Sequence, residues 1–257
     1  MRVLSLFSGG GLGDYGLTLA GMEIVGQVEI DEYCQKVLSL RWPDVPKWRD
    51  ICGVKGEEVI EKVGRIDLIS GGFPCQDVSV AGGGSGIQGQ RSGLWKEYLR
   101  LICELRPKYC FVENVSALLG RGLDVLLGDL AESGYDAEWD CIPASELGSP
   151  QERDRFWLVA YDNGIRGGER GEIIFKNNRG LGKHIKPNGK NYWNGKWFIG
   201  TPEEAKWELD IKSIISRVDD GTAGWVDRLH VAGNGQVVQV VQWIGERIME
   251  FDRTNPA

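Results

Sequence analysis

Cys75 is set apart from the other cysteines of this sequence by its neighbours. It follows Gly71-Gly72-Phe73-Pro74 and precedes Gln76-Asp77-Val78-Ser79, with Gly82-Gly83-Gly84-Ser85-Gly86 close behind. The ring of Pro74 stiffens the backbone beside the thiol, and the glycines leave the position open to a substrate. A rigidly held thiol under a loop able to close is what a covalent nucleophile needs. The bland alternative is a small buried cysteine in a tight turn, and the flanking glycines weigh against it.

A second glycine cluster, Phe7-Ser8-Gly9-Gly10-Gly11-Leu12-Gly13-Asp14-Tyr15-Gly16, lies near the N-terminus. Gly11-x-Gly13-x-x-Gly16 satisfies the dinucleotide fingerprint, and Glu29 or Asp31 follows at a distance suited to a ribose. Glycines after a first strand admit a ligand to the backbone, and a carboxylate ending the second strand accepts from ribose hydroxyls. On this motif alone three readings stay open: a nicotinamide or flavin site, a methyl-donor site, or a structural glycine turn.

The elements that must carry these groups follow from the apolar pattern. Strands are expected at Val3–Phe7, Glu23–Glu29, Ile66–Ser70, Tyr109–Val112, Trp139–Ile142 and Arg155–Tyr161. A helix runs from the Ser8–Gly13 turn to near Gly21. Others are expected at Asp31–Leu40, N-capped by Asp31 and stopped by Trp42-Pro43, at Leu94–Leu105, and at Leu123–Ser133 with Gly134 as its stop. Strands alternating with helices imply an α/β fold with a doubly wound, mainly parallel sheet. The pattern breaks near Tyr161, and a helical apolar stripe (Val237, Val240, Val241, Ile244, Ile248) resumes over Gln236–Met249.

A chain of 257 residues accommodates one sizeable domain with a small appendage. Its six cysteines include no C-x-x-C pair and it has two histidines, so neither a zinc site nor a disulfide framework is expected. Most of the thiols are expected to be buried hydrophobes. No apolar stretch approaches the roughly 20 residues of a membrane span. Met1–Phe7 reads as a core strand rather than a signal peptide, which points to the cytoplasm. The net charge of −7 argues mildly against a polyanionic partner, although segregated charges can override it.

Several further segments join these two clusters in a known order. Asp50-Ile51, Phe111-Val112-Glu113-Asn114-Val115, Gln151-Glu152-Arg153-Asp154-Arg155 and Gly233-Asn234-Gly235-Gln236-Val237 fall between and after them. With them the chain resembles the DNA (cytosine-5-)-methyltransferase family, of the compact prokaryotic or phage type. The resemblance implies a Rossmann-like fold dependent on S-adenosylmethionine. It implies cofactor contacts from Phe7, Gly9, Gly11, Glu29 (ribose), Asp50 and Ile51 (adenine), Pro74 and Asn234. Cys75 becomes the nucleophile that attacks carbon 6 of cytosine. Glu113 becomes a proton-bearing donor to ring nitrogen 3, which requires a carboxyl pKa raised by burial. Arg155 faces the base carbonyl and Arg153 acts as a scaffold. The alternative for Glu113 is an N-cap of a helix starting near Asn114; for both arginines it is surface pairing with Glu152 and Asp154.

The resemblance also implies double-stranded DNA as partner, with the target base flipped out of the helix. Gln88, Gln90, Arg91 and Ser92, in the loop after Cys75, are candidates to fill the vacated space or grip phosphates, or else are solvated loop. Residues 1–162 would form the catalytic and cofactor-binding domain, 163–216 a small target-recognition insert, and 217–257 a segment returning to the catalytic domain. The insert carries Lys183, Lys186 and Lys190 among other basic residues, with Tyr192, Trp193, Trp197 and Phe198 interleaved near its end. Such a mixture binds phosphates and stacks on bases, or else is a solvated loop with a small aromatic core. The insert is shorter than is usual in the family. A monomer without metal, a possible partner restriction endonuclease and no membrane association complete the expectation. The rivals are a transfer RNA methyltransferase of the same family, a nicotinamide-dependent oxidoreductase and an inactive DNA-binding relative. The RNA branch carries Cys-Phe-Thr where this chain has Ser116-Ala117-Leu118.

Overall fold

The computed structural model describes residues 1–74, 93–147, 153–165, 175 and 235–255. The expectations for Cys75, Gln88, Gln90, Arg91, Ser92, Gln151, Glu152, Lys183, Lys186, Lys190 and Asn234, and for nearly all of the 163–216 insert, lie outside the described residues.

Among the described residues, seven strands form one sheet: β1 (Arg2–Leu6), β2 (Glu23–Val28), β3 (Lys47–Trp48), β4 (Leu68–Gly71), β5 (Tyr109–Val115), β6 (Tyr135–Pro143) and β7 (Asp154–Asp162), in the order β3-β2-β1-β4-β5-β7-β6. The first five neighbours pair in parallel, whereas β7 runs antiparallel to both β5 and β6. The stretch between β6 and β7 is too short for a parallel crossover. The chain therefore reverses and inserts β7 beside β5. The sheet is mainly parallel, with an antiparallel pair at one end that strand–helix alternation does not reveal.

Among the described residues, six helices connect and cover the strands: α1 (Leu12–Leu19), α2 (Glu32–Arg41), α3 (Gly56–Val63), α4 (Gly93–Leu105), α5 (Leu123–Glu132) and α6 (Val238–Thr254). Asp31 caps α2 as expected, its side chain accepting from the Cys34 N–H at 2.8 Å. Gly134, at φ 84°, follows the end of α5. The α3 helix, absent from the sequence reading, carries Glu57 and Glu58 in its first turn and Lys62 in its last, complementing its dipole.

Alternation along the strands splits the core. Val3, Leu68, Tyr109, Phe111 and Trp157 pack with Leu17 of α1 and Val240, Val241, Ile244 and Ile248 of α6. Leu4, Leu6, Ile69 and Val112 pack with Trp95, Tyr98 and Leu101 of α4 and Leu126 of α5. Helices α1 and α6 meet over glycines: a Cβ on Gly16 would lie 2.7 Å from the Val238 carbonyl, and one on Gly245 2.8 Å from the Ala20 methyl. Of the five described cysteines only Cys34 and Cys110 are buried. Cys52 and Cys103 are exposed and Cys141 is intermediate, which corrects the expectation that most are core residues. Among the described residues no helix is long and apolar enough to cross a membrane.

Gly71 tests the central pairing. A Cβ there would sit 2.4 Å from the Leu6 carbonyl oxygen, an atom of the neighbouring strand that cannot swing away. Gly71→Ala is expected to destabilise the protein by about 3 kcal/mol, the upper end of ordinary overpacking. Urea unfolding checks this; an unchanged midpoint would show that β1 and β4 separate freely at that point.

Candidate active site

On the face covered by α1 and α6, the strands turn from apolar to polar as they leave the core. Ser5 pairs in register with Gln27 of β2 and Ser70 of β4, and all three are buried. Two residues beyond Phe111 on β5 stands Glu113, and β7 brings Arg155 to the same end of the sheet. A polar row thus crosses the carboxyl ends of the parallel strands, where ligands bind in open α/β sheets.

The row floors an open cleft bordered by Phe7, Gly9, Asp14, Gly72, Glu113 and Gln236 among others. Phe7 (φ 53°) and Gly9 (φ 54°) both take left-handed backbone, a strained conformation for phenylalanine. Glu29 fixes this turn: its carboxylate accepts from the Gly9 N–H at 2.6 Å and from the Asp31 N–H at 2.8 Å. A carboxylate keeps further lone pairs for a ligand hydroxyl.

Phe7 and Gly9 line the cleft, whereas Gly11, Glu29, Asp50, Ile51 and Pro74 do not. Gly11 serves packing, since a Cβ there would lie 2.5 Å from the Trp42 ring. Asp50 caps the 3-10 turn Ile51–Gly53, accepting from the Cys52 N–H at 2.9 Å, and Ile51 is buried.

Burial pushes the Glu113 carboxyl from 4.5 up to about 7, against the opposing pull of Arg155 and Arg153. Arg155 forms the ion pair, with Nε 3.2 Å from Glu113 Oε1. Arg153 donates to the Gly235 carbonyl at 2.7 Å, joining the start of β7 to the segment that leads into α6. Burial, then the neighbouring Arg155, lowers the Arg153 pKa. Two alternatives are corrected here, the second for Arg155 and Asp154 alone, since Glu152 lies outside the described residues. Glu113 is no helix N-cap, because β5 continues to Val115 and the turn that follows, Ser116–Gly120, starts from Val115 without a side-chain cap. Arg155 pairs with Glu113, touching Asp154 only at its backbone carbonyl.

Gly72 lets the carboxylate lie against the backbone, since a Cβ there would be 2.5 Å from Glu113 Oε2. Asn114, given no role of its own in the sequence, donates to the Phe73 carbonyl at 3.2 Å. Phe73 is buried with its ring 5.7 Å from that of Trp95. Phe73, two residues before Cys75, is thus anchored to the strand that bears Glu113. Asp14 and Gln236 also line the cleft unforeseen. Their signal in the sequence was a polar residue inside a glycine motif, which spacing alone cannot interpret.

Among the described residues, the ionisable side chains lining the cleft are Asp14 and Glu113, both acids. A dinucleotide would bring a pyrophosphate to the glycine turn, where Asp14 already occupies the first turn of α1 and repels it. A ligand with positive charge fits this lining. Residues 1–213 match the family described as C-5 cytosine-specific DNA methylase. The chain belongs to this family. Among its relatives, the type II methyltransferase M2.BsuMI of Bacillus subtilis is 37% identical over 171 residues, 62% of this chain and 42% of that protein. The orphan methyltransferase M.SPRI of Bacillus phage SPR is 30% identical over 231 residues, 84% of this chain and 46% of that protein. In both cases this chain spans less than half the length of its relative. The solved structure of S. pombe Dnmt2 methyltransferase superposes with a TM-score of 0.54 at 22% identity, covering 68% of this chain and 53% of that one. At that identity the likeness shows the fold, which is the Rossmann-like methyltransferase fold.

Proposed function

We propose that this methylase transfers a methyl group from S-adenosylmethionine to carbon 5 of cytosine in duplex DNA, with Cys75 as the covalent nucleophile. The observation that carries the reading is Glu113: a largely buried carboxyl with its pKa raised to about 7, 3.2 Å from the Arg155 Nε and packed against Gly72, three residues before Cys75.

Carbon 5 of cytosine is a poor nucleophile. Addition of the Cys75 thiolate to carbon 6 breaks the ring's aromaticity and makes carbon 5 enamine-like. Negative charge then builds at nitrogen 3, where the Glu113 carboxyl donates, and at the base carbonyl, where Arg155 supplies a fixed cation. The bound cofactor supplies an electrophilic methyl group on a sulfonium. Loss of the proton on carbon 5, to bound water in this scheme, lets the thiolate leave and restores the aromatic ring. Phe7, Gly9 and Glu29 are assigned to the cofactor's binding, with Gly11, Asp50, Ile51, Pro74 and Asn234 completing the proposed set. Arg153 holds the β7 end against Gly235. Neither ring face is reachable in a stacked duplex, so the base must be flipped out. Gln88, Arg91, Ser92, Lys183, Lys186 and Lys190 are assigned to DNA.

The test is incubation with tritiated S-adenosylmethionine and either mixed-sequence duplex DNA or transfer RNA, followed by digestion to nucleosides. Label in 5-methylcytosine from DNA is expected. Label confined to transfer RNA, or transferred to neither, would refute the assignment.

A further inference from the structure

Among the described residues, Asp14 is the acid lining the cleft that this mechanism leaves without a task. It is 2% exposed, in the first turn of α1, yet borders the cleft. Its Oδ1 accepts from the Ser5 hydroxyl at 2.5 Å and its Oδ2 from the Gln27 amide at 2.7 Å. The Ser8 hydroxyl lies 2.9 Å behind Ser5, continuing the chain of hydroxyls. These donors are neutral. Lys47, the nearby cation, gives its ammonium hydrogens to the carbonyls of Trp42 and Val45. The carboxylate is therefore solvated by dipoles but not hydrogen-bonded to a counter-ion. Burial raises its pKa from 3.8 to about 6, with Glu29 adding to the rise and Ser5, Gln27 and Lys47 opposing it.

A cleft that holds a buried carboxylate without a paired cation favours a ligand that brings the cation. We propose that Asp14 is the counter-charge for the cationic methionyl end of the cofactor, an inference that rests on the methyl-transfer reading. S-Adenosylmethionine carries two positive charges there, on the sulfonium and the α-ammonium. Ser5 and Ser8 hold the carboxylate in place, so its charge is set before the ligand arrives.

A purely structural Asp14, tying α1 to β1 and β2, would make the same hydrogen bonds and respond differently to one substitution. The Oε1 of Gln27 is buried without a hydrogen-bond partner. On Asp14→Asn the Gln27 amide can rotate so that Oε1 accepts from the new amide, while Ser5 still donates to the remaining oxygen. The network survives and the charge is gone.

The experiment is calorimetric titration of the wild type and Asp14→Asn with S-adenosylmethionine, S-adenosylhomocysteine and 5′-methylthioadenosine, which has the adenosine and thioether but neither charge. The variant is expected to weaken S-adenosylmethionine binding about tenfold or more and to change methylthioadenosine binding less than about twofold. An equal loss for S-adenosylhomocysteine assigns the contact to the ammonium, and no loss assigns it to the sulfonium; either upholds the proposal. Unchanged S-adenosylmethionine binding, or the same weakening for all three ligands, overturns it while leaving the methyl-transfer reading intact. A wild type that binds none of them overturns that reading and this proposal together.

Discussion

With Glu113 replaced by glutamine, methyl transfer to DNA is expected to fall about 10²–10⁴-fold, the usual worth of a positioned acid. The amide keeps the shape of the carboxyl and can donate a hydrogen bond, but has no acidic proton to share as charge builds on the ring, and it leaves Arg155 without its ion pair. The pH dependence separates this from simple misfolding. In the wild type the protonated form is the donor, so the rate should decline as pH rises past about 7, where burial has placed this carboxyl. In the variant that limb should be absent. The stability linkage has a definite sign. The folded-state pKa of Glu113 lies above its ordinary 4.5, so the native state holds this proton more tightly than the unfolded chain. Its contribution is full below 4.5 and is lost as pH rises to about 7, an effect on the order of 3 kcal/mol. Relative to the variant, the wild type should therefore be more stable at pH 4.5 than at pH 8. Asp14, also raised, titrates in both proteins and cancels in the comparison. Rate–pH profiles with thermal melts at both pH values measure this. A basic limb that persists in the variant would mean that another group supplies the proton.

The cues that were legible in the sequence are local ones. Asp31 before a helical run can be read as a cap because its acceptor meets the Cys34 N–H three residues on, and Gly134 can be read as a stop because α5 ends in a left-handed turn. The same local logic ended β5 too early. Glu113 and Asn114 are polar, and polarity usually marks the end of a strand. Here the strand leaves the apolar core and enters the cleft, so its polarity marks the site. The antiparallel insertion of β7 between β5 and β6 depends on pairing across the sheet, which no window of sequence contains. Asp14 illustrates the same gap. Within a glycine motif it reads as one more solvated turn residue, and only the register Ser5–Gln27, with α1 folded over it, shows a carboxylate buried between two donors. Glu29, expected to face a ribose, is seen to fix the glycine turn first.

Replacing Cys75 with alanine is expected to remove methyl transfer altogether, a loss of at least about 10⁴-fold, because a step that must form and break a covalent bond has no substitute in a methyl side chain. The residues ahead of it stay anchored: Asn114 holds the Phe73 carbonyl and Phe73 packs on Trp95. Affinity for S-adenosylmethionine and the melting temperature should consequently stay within about twofold and a few degrees of wild type. Loss of activity alone would not separate a nucleophile from a residue that shapes the pocket, so the adduct must be trapped. Duplex DNA carrying 5-fluorocytosine offers no proton at carbon 5 to lose after methyl transfer, and the thiolate cannot then be expelled. Wild type should stay bonded to such DNA through denaturing electrophoresis in a cofactor-dependent manner, and Cys75→Ala should not. Glu113→Gln should form the same adduct more slowly, since it retains the thiol and weakens only the proton donor. An adduct of undiminished yield with Cys75→Ala would move the nucleophile to another residue. Wild type that methylates ordinary cytosine yet never traps the fluorinated base would rule out covalent attack at carbon 6.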